Sequence, residues 1–96
     1  MPSYRVRIPV GLLRPGVAPE DLLPAATDAA AALTTVEARD VAIVRGAPVI
    51  SVRFTAEDDG DAARVARRVE TAVRERATAG RASTECRAGS RWRPVR

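Results

Sequence analysis

The chain has 96 residues, and its sixteen basic residues are all Arg, against twelve Asp and Glu, which gives a net charge of +4. It contains no His, Lys, Asn or Gln, and this excludes most of the side chains that perform acid–base, Schiff-base and amide-based oxyanion chemistry. A GC-rich coding sequence accounts for the bias, but Arg still favours binding carboxylate or phosphate over proton transfer, so we expect one small domain that is not an enzyme.

The first predicted element is a strand over residues 4–10, where apolar and polar residues alternate with the period of a half-buried strand. The even-numbered residues share an apolar face, and Arg5 and Arg7 share the opposite face. Pro9 cannot donate a hydrogen bond to a neighbouring strand, so the strand either ends near it or has an unpaired side there.

A helix and a β-hairpin are predicted next. Acidic residues at positions 20 and 21 and apolar residues at helical spacing indicate a first helix that runs through about Leu33. Two β-branched runs over 36–44 and 49–55 flank a loop at 45–48 that contains Gly and Pro, which is typical of a hairpin. In the second run Arg53 lies on the polar face, whereas in the first run either face could be the one that faces the core.

The second helix has the clearest helical pattern in the chain. It follows the acidic cluster at 57–61, which suits the positive end of a helix dipole, and Gly80 is its predicted C-cap. A last strand is predicted over 83–88. The final residues 91–96 are either a basic C-terminal extension or a short extra strand, because Gly89-Ser90 fits a two-residue hairpin turn.

This order of elements predicts an α+β fold. Strand, helix, strand, strand, helix, strand is the order of the ferredoxin-like βαββαβ sandwich, in which a four-stranded antiparallel sheet carries both helices on one face. The first and third strands are then central, and the last strand lies beside the first. We expect a single domain over residues 1–90, followed by the basic segment 91–96. Because this fold supports many activities, it predicts no function by itself.

The charge of the chain is unevenly distributed along the sequence. Residues 81–96 hold five Arg and one Glu, so the whole net charge of +4 lies in this segment. If the first and last strands are neighbours, their Arg residues form a basic region at one side of the sheet. The residues concerned are Arg5, Arg7, Arg87, Arg91 and Arg93.

Three interpretations of the basic region remain open: a solvated surface, an interface with a protein or a second copy, and a phosphate-binding surface. Sequence-reading RNA-binding sheets of this topology expose aromatic residues on their central strands, and this chain has Arg and Ser there. We therefore expect a protein-interaction and self-association domain, with sequence-independent nucleic-acid binding as the alternative. An accessory subunit that completes another chain's active site is a third hypothesis.

The remaining sequence features concern catalysis, metal binding and location. The lone Cys86 lacks a His base and is interpreted as a core residue, and the acidic cluster as helix charge, so neither a metal nor a cofactor is expected. We expect no signal peptide and no membrane partner, and place the protein in the cytoplasm. The predicted partner-binding residues are Arg5, Arg7, Arg53, Arg91, Trp92 and Arg93, with Trp92 as the apolar anchor.

Overall fold

The computed structural model describes all 96 residues and confirms the α+β fold, with two α-helices and a six-stranded antiparallel sheet. Helix α1 spans Leu22–Ala31, after a short 3-10 turn at Pro19–Asp21, and α2 spans Asp59–Arg74. The strands are β1 (Ser3–Leu13), β2 (Val36–Val44), β3 (Ala47–Thr55), β4 (Ala77–Ala79), β5 (Ser83–Ala88) and β6 (Arg91–Pro94). Neither helix combines the length and the apolar character needed to cross a membrane.

The strand order is β2-β3-β1-β5-β6, and β4 pairs with the far end of β1. Strand β1 is therefore central, with β3 and β5 as neighbours. Its even-numbered residues Tyr4, Val6 and Ile8 are at most 2% exposed and lie in one core cluster with residues of both helices. Since both helices pack on this face, the opposite face of the sheet is uncovered.

The prediction of a four-stranded sheet is wrong, because two further short strands, β4 and β6, extend the sheet. Gly89 has φ 62°, a backbone conformation that glycine adopts without strain, and the chain turns back there so that β6 pairs with β5. Strand β4 follows α2 directly and pairs with β1 where the β1 register shifts between Val10 and Leu13. The Gly80 C-cap is also wrong, since α2 ends at Arg74 with Glu75 as its C-cap.

The hairpin turn is tighter than the predicted loop. Only Arg45 and Gly46 separate the paired residues Val44 and Ala47. Their φ values of 51° and 82° are the two positive angles that a type I′ turn requires. This turn fixes the β2–β3 register, in which Val41 lies opposite Ile50.

The acidic cluster begins α2. The Asp58 side chain accepts a hydrogen bond of 2.8 Å from the backbone N–H of Asp61, and Asp59 and Asp61 lie in the first turn. A carboxylate in this position satisfies a backbone donor that the helix leaves unpaired and also favours the positive end of the helix dipole.

Asp58→Ala is expected to lower the free energy of unfolding by about 1 kcal/mol, because the capping hydrogen bond is lost. Urea denaturation followed by circular dichroism measures this. Glu57→Ala is the matched control, since the Glu57 side chain belongs to the same cluster but makes no hydrogen bond or ion pair. Equal losses in the two variants would contradict the capping role.

Candidate functional site

The uncovered side of the sheet, opposite the helices, carries four of the six predicted partner-binding residues. We call it the open face and define it by Arg5, Arg7, Arg53, Glu85, Arg87 and Trp92. Alternation along each strand places them there: Arg5 lies opposite Arg53 on one side and Glu85 on the other, and Arg87 lies opposite Trp92.

Trp92 is the centre of a group of guanidinium groups on the open face. The guanidinium carbon of Arg5 lies 4.3 Å from the centroid of the Trp92 ring, and those of Arg53 and Arg87 lie 5.6 and 5.9 Å from it. These distances are in the range of cation–π attraction. Trp92 is half-buried and borders a shallow depression of about 280 Å³. The side chain is therefore held in place and remains partly accessible.

The Arg residues of the open face differ in whether they have a carboxylate partner. The Arg5 Nε donates to Glu85 at 2.7 Å, and the Arg53 Nε donates to Glu37 at 3.2 Å. Arg7, which is half-buried on the central strand, makes no hydrogen bond or ion pair and lies between Ser51 and Ser83 on the adjacent strands. Arg87 also has no carboxylate partner, but its Nε donates to the Gly89 carbonyl at 3.0 Å. Arg7 is therefore the one Arg of the open face whose donors have no partner within the chain.

The structure separates Arg91 and Arg93 from the other four predicted residues, so the expected single basic region does not form. Alternation along β6 turns these two side chains away from the open face, because Trp92 lies between them. Arg93 donates to both carboxylate oxygens of Asp59, at 3.2 and 3.1 Å, and so joins β6 to the start of α2. Arg91 is exposed and makes no side-chain hydrogen bond.

Asp59 also accepts a hydrogen bond of 2.8 Å from the Tyr4 hydroxyl. The hydrogen bonds from Arg93, and then that from Tyr4, hold the pKa of the Asp59 carboxyl below its usual range. Burial, and then the bond to Asp59, raises the pKa of Tyr4 far above its ordinary value, so the hydroxyl stays protonated and donates. Tyr4, Asp59 and Arg93 therefore connect the central strand, α2 and β6.

A second surface escaped sequence reasoning. Strand β2 lies at one end of the sheet, and its residues Val41, Ile43 and Val44 are 45%, 70% and 37% exposed. Val41 also lines an apolar groove of about 550 Å³, on the helix side of the sheet, between the start of α1 and the hairpin. The groove lining includes Val10, Leu13, Leu22, Leu23, Val41 and Pro48. Sequence analysis did not find this surface, because the pattern of residues 36–44 does not show which of their two faces is buried.

No model of a known protein family, no curated protein and no solved structure matches the chain. Cys86 is buried in the core, where it lies opposite Tyr4. No three His, Cys, Asp or Glu side chains converge in a way that could hold a metal ion. The chemistry of the two surfaces is therefore the basis for a functional proposal.

The Asp59 pKa predicts an acid-dependent loss of stability. Ionised Asp59 stabilises the fold above its unfolded-state pKa of about 3.9, and this contribution is lost as the pH falls through the lower folded-state pKa. Melting temperatures from about pH 2 to 7 should therefore decrease more steeply on acidification in the wild type than in Asp59→Asn. Glu57→Gln is the control, and parallel curves for wild type and Asp59→Asn would contradict the prediction.

Proposed function

We propose that this protein is a non-catalytic protein-interaction domain that binds a carboxylate-bearing partner on its open face. The observation that carries the proposal is Arg7, a half-buried guanidinium without a partner, between two Ser side chains at the centre of an uncovered sheet. A guanidinium donates two parallel hydrogen bonds to a carboxylate, and neighbouring hydroxyls add further donors. An Asp or Glu side chain of a partner protein fits this position.

Trp92 supplies the apolar part of the proposed interface. Trp and Arg are among the residue types most enriched at the energetic centres of protein interfaces, and side chains that are ordered before binding lose less entropy on association. The contact between Trp92 and Arg5, together with the Arg5–Glu85 ion pair, provides that order. Binding then immobilises few side chains, which lowers its entropic cost.

The charges of the open face favour a protein over nucleic acid. Glu37, Asp40 and Glu85 lie among its four Arg residues, so the surface is close to neutral and would repel part of a continuous phosphate backbone. Tyr4 and Phe54 are buried, which leaves Trp92 as the single aromatic side chain available for stacking on a base. Sequence-independent nucleic-acid binding is the alternative, and titration with an oligonucleotide distinguishes it from protein binding.

We also propose that the fold is a ferredoxin-like sandwich with two added strands. The order β2-β3-β1-β5, with α1 and α2 on one face, is the order of that architecture, and β4 and β6 extend it. The unpaired Cys86 agrees with the cytoplasmic location that the composition favours.

An acidic peptide should change the fluorescence of Trp92, the only Trp in the chain. A ten-residue oligo-glutamate peptide, titrated at low salt, is expected to give a saturable change. Arg7→Ala should weaken this binding by about tenfold, because a hydrogen-bonded charge pair contributes about 1.5 kcal/mol. Arg67→Ala, which removes an exposed Arg of α2 on the other side of the molecule, is the matched control and should bind like the wild type.

A mixed-sequence single-stranded oligonucleotide is titrated in parallel. Tighter binding of the oligonucleotide than of the peptide, with a steep dependence on salt, would replace the protein partner by a phosphate backbone. If neither probe alters the fluorescence, or if Arg7→Ala and Arg67→Ala weaken binding equally, the open face is not the binding surface.

A further inference from the structure

The outer edge of β2 has main-chain groups that no strand of the chain satisfies. Val44 and Ala47 flank a two-residue turn, and such a pair exchanges both of its hydrogen bonds. Alternation then turns the N–H and C=O groups of Arg39, Val41 and Ile43 away from β3. In the pairs that these three residues form with β3, neither residue donates an N–H to the opposite strand. Pro48, which has no N–H, lies opposite Ile43, as this assignment requires.

The two ends of the sheet differ in how they are protected. The strand at the other end, β6, has only four residues, begins with the exposed Arg91 and ends in Pro94. Short length, Pro and charge are the usual means by which a sheet edge avoids pairing with another chain. Strand β2 has nine residues, and its charged residues and a register shift lie in its first half. Residues 41–44 are apolar, and the exposed Val41 and Ile43 lie beside the outward main-chain groups. The edge of β2 is therefore suited to accept another strand.

We propose that a second copy of this chain covers this edge, through antiparallel pairing of β2 with β2 around a two-fold axis at Val41. This pairing joins the two sheets into one and satisfies the outward groups of all three residues at once. An isologous contact of this kind requires a surface that is complementary to itself, and β2 meets that requirement in a particular register.

The side chains favour the register centred on Val41 over the registers centred on the residues to either side of it. In that register Val41 lies opposite the partner's Val41, and Arg39 lies opposite the partner's Ile43, so its aliphatic stem covers that apolar side chain. Shifting the centre to Asp40 would place the two Asp40 carboxylates directly opposite each other. Shifting it to Ala42 would bring Arg39 to the hairpin turn of the partner, where Arg45 lies. Like charges brought close together are unfavourable, so both shifts are disfavoured.

The groove on the helix side supports the same occupant. Val41 forms part of the groove wall that lies nearest the free edge, and Ile43 is the most exposed of the large apolar residues of β2. A copy paired at Val41 extends this wall with its own Val41 and Ile43 and removes apolar surface from water. The two open faces lie on the same side of the joined sheet, so Arg7 stays accessible. Self-association at β2 and partner binding at the open face therefore do not depend on each other.

Mass measurement by light scattering at several protein concentrations, at low and high salt, tests the proposal. The wild type is expected at twice its chain mass of 10.2 kDa and to resist salt, because main-chain hydrogen bonds and apolar contacts hold the interface. Ile43→Lys places a cation opposite the partner's Arg39 twice, and it should weaken the dimer by roughly 100-fold. The side chain is 70% exposed, so folding is retained, which circular dichroism checks.

A charge reversal tests the register. The double variant Arg39→Glu with Ile43→Lys places opposite charges face to face twice in the register centred on Val41, so it should restore the dimer, now in a salt-sensitive form. Leu12→Lys, which alters the exposed apolar residue of β1, is the control and should leave the dimer intact. A wild type that stays monomeric, or a dimer that Ile43→Lys does not disrupt, overturns the interface. Disruption by Ile43→Lys without restoration in the double variant overturns the register.

Discussion

Two helices cover only one face of a sheet, and this constraint determines where the other surfaces of the molecule lie. The core forms between the helices and the even-numbered residues of β1, and no third layer covers the odd-numbered ones. The central strand can therefore carry Arg5 and Arg7 on its uncovered face. Burying these charged side chains under another layer would cost free energy. The strand order leaves the outer edge of β2 without a neighbouring strand, because β2 lies at the margin of the sheet.

Charges that are far apart in the sequence are close together in the fold. The acidic residues Glu37 and Glu85 lie against Arg53 and Arg5, so strand pairing mixes charges that a count along the chain would separate into acidic and basic parts. Each of these pairs is partly exposed and contributes modestly to stability. Their effect is on order and specificity, since they fix guanidinium groups around Trp92 and leave Arg7 as the group without a partner.

The parts of the fold that the sequence predicted are those with a single clear period. Alternation placed Arg5, Arg7 and Arg53 on one face, and helical spacing located α2. The sequence left open whether residues 91–96 fold back, and the placement of Arg93 beside Arg5 was wrong, because the two-residue turn after Ala88 puts Trp92 on the open face instead. The free edge was missed because apolar residues that are exposed at an edge have no buried face to produce a pattern.

The central position of β1 also affects how the chain reaches its fold. Strand β1 is synthesised before the other strands of this sheet and pairs with β5, and the Arg5–Glu85 ion pair joins residues 80 positions apart. Closing a loop of this length costs chain entropy before the pairing of β1 with β5 stabilises the fold. The sheet therefore cannot close until β5 and β6 have left the ribosome. The β2–β3 hairpin, which needs only its own turn, can form first. Until β5 arrives, the apolar side of β1 is a candidate for chaperone binding and for aggregation.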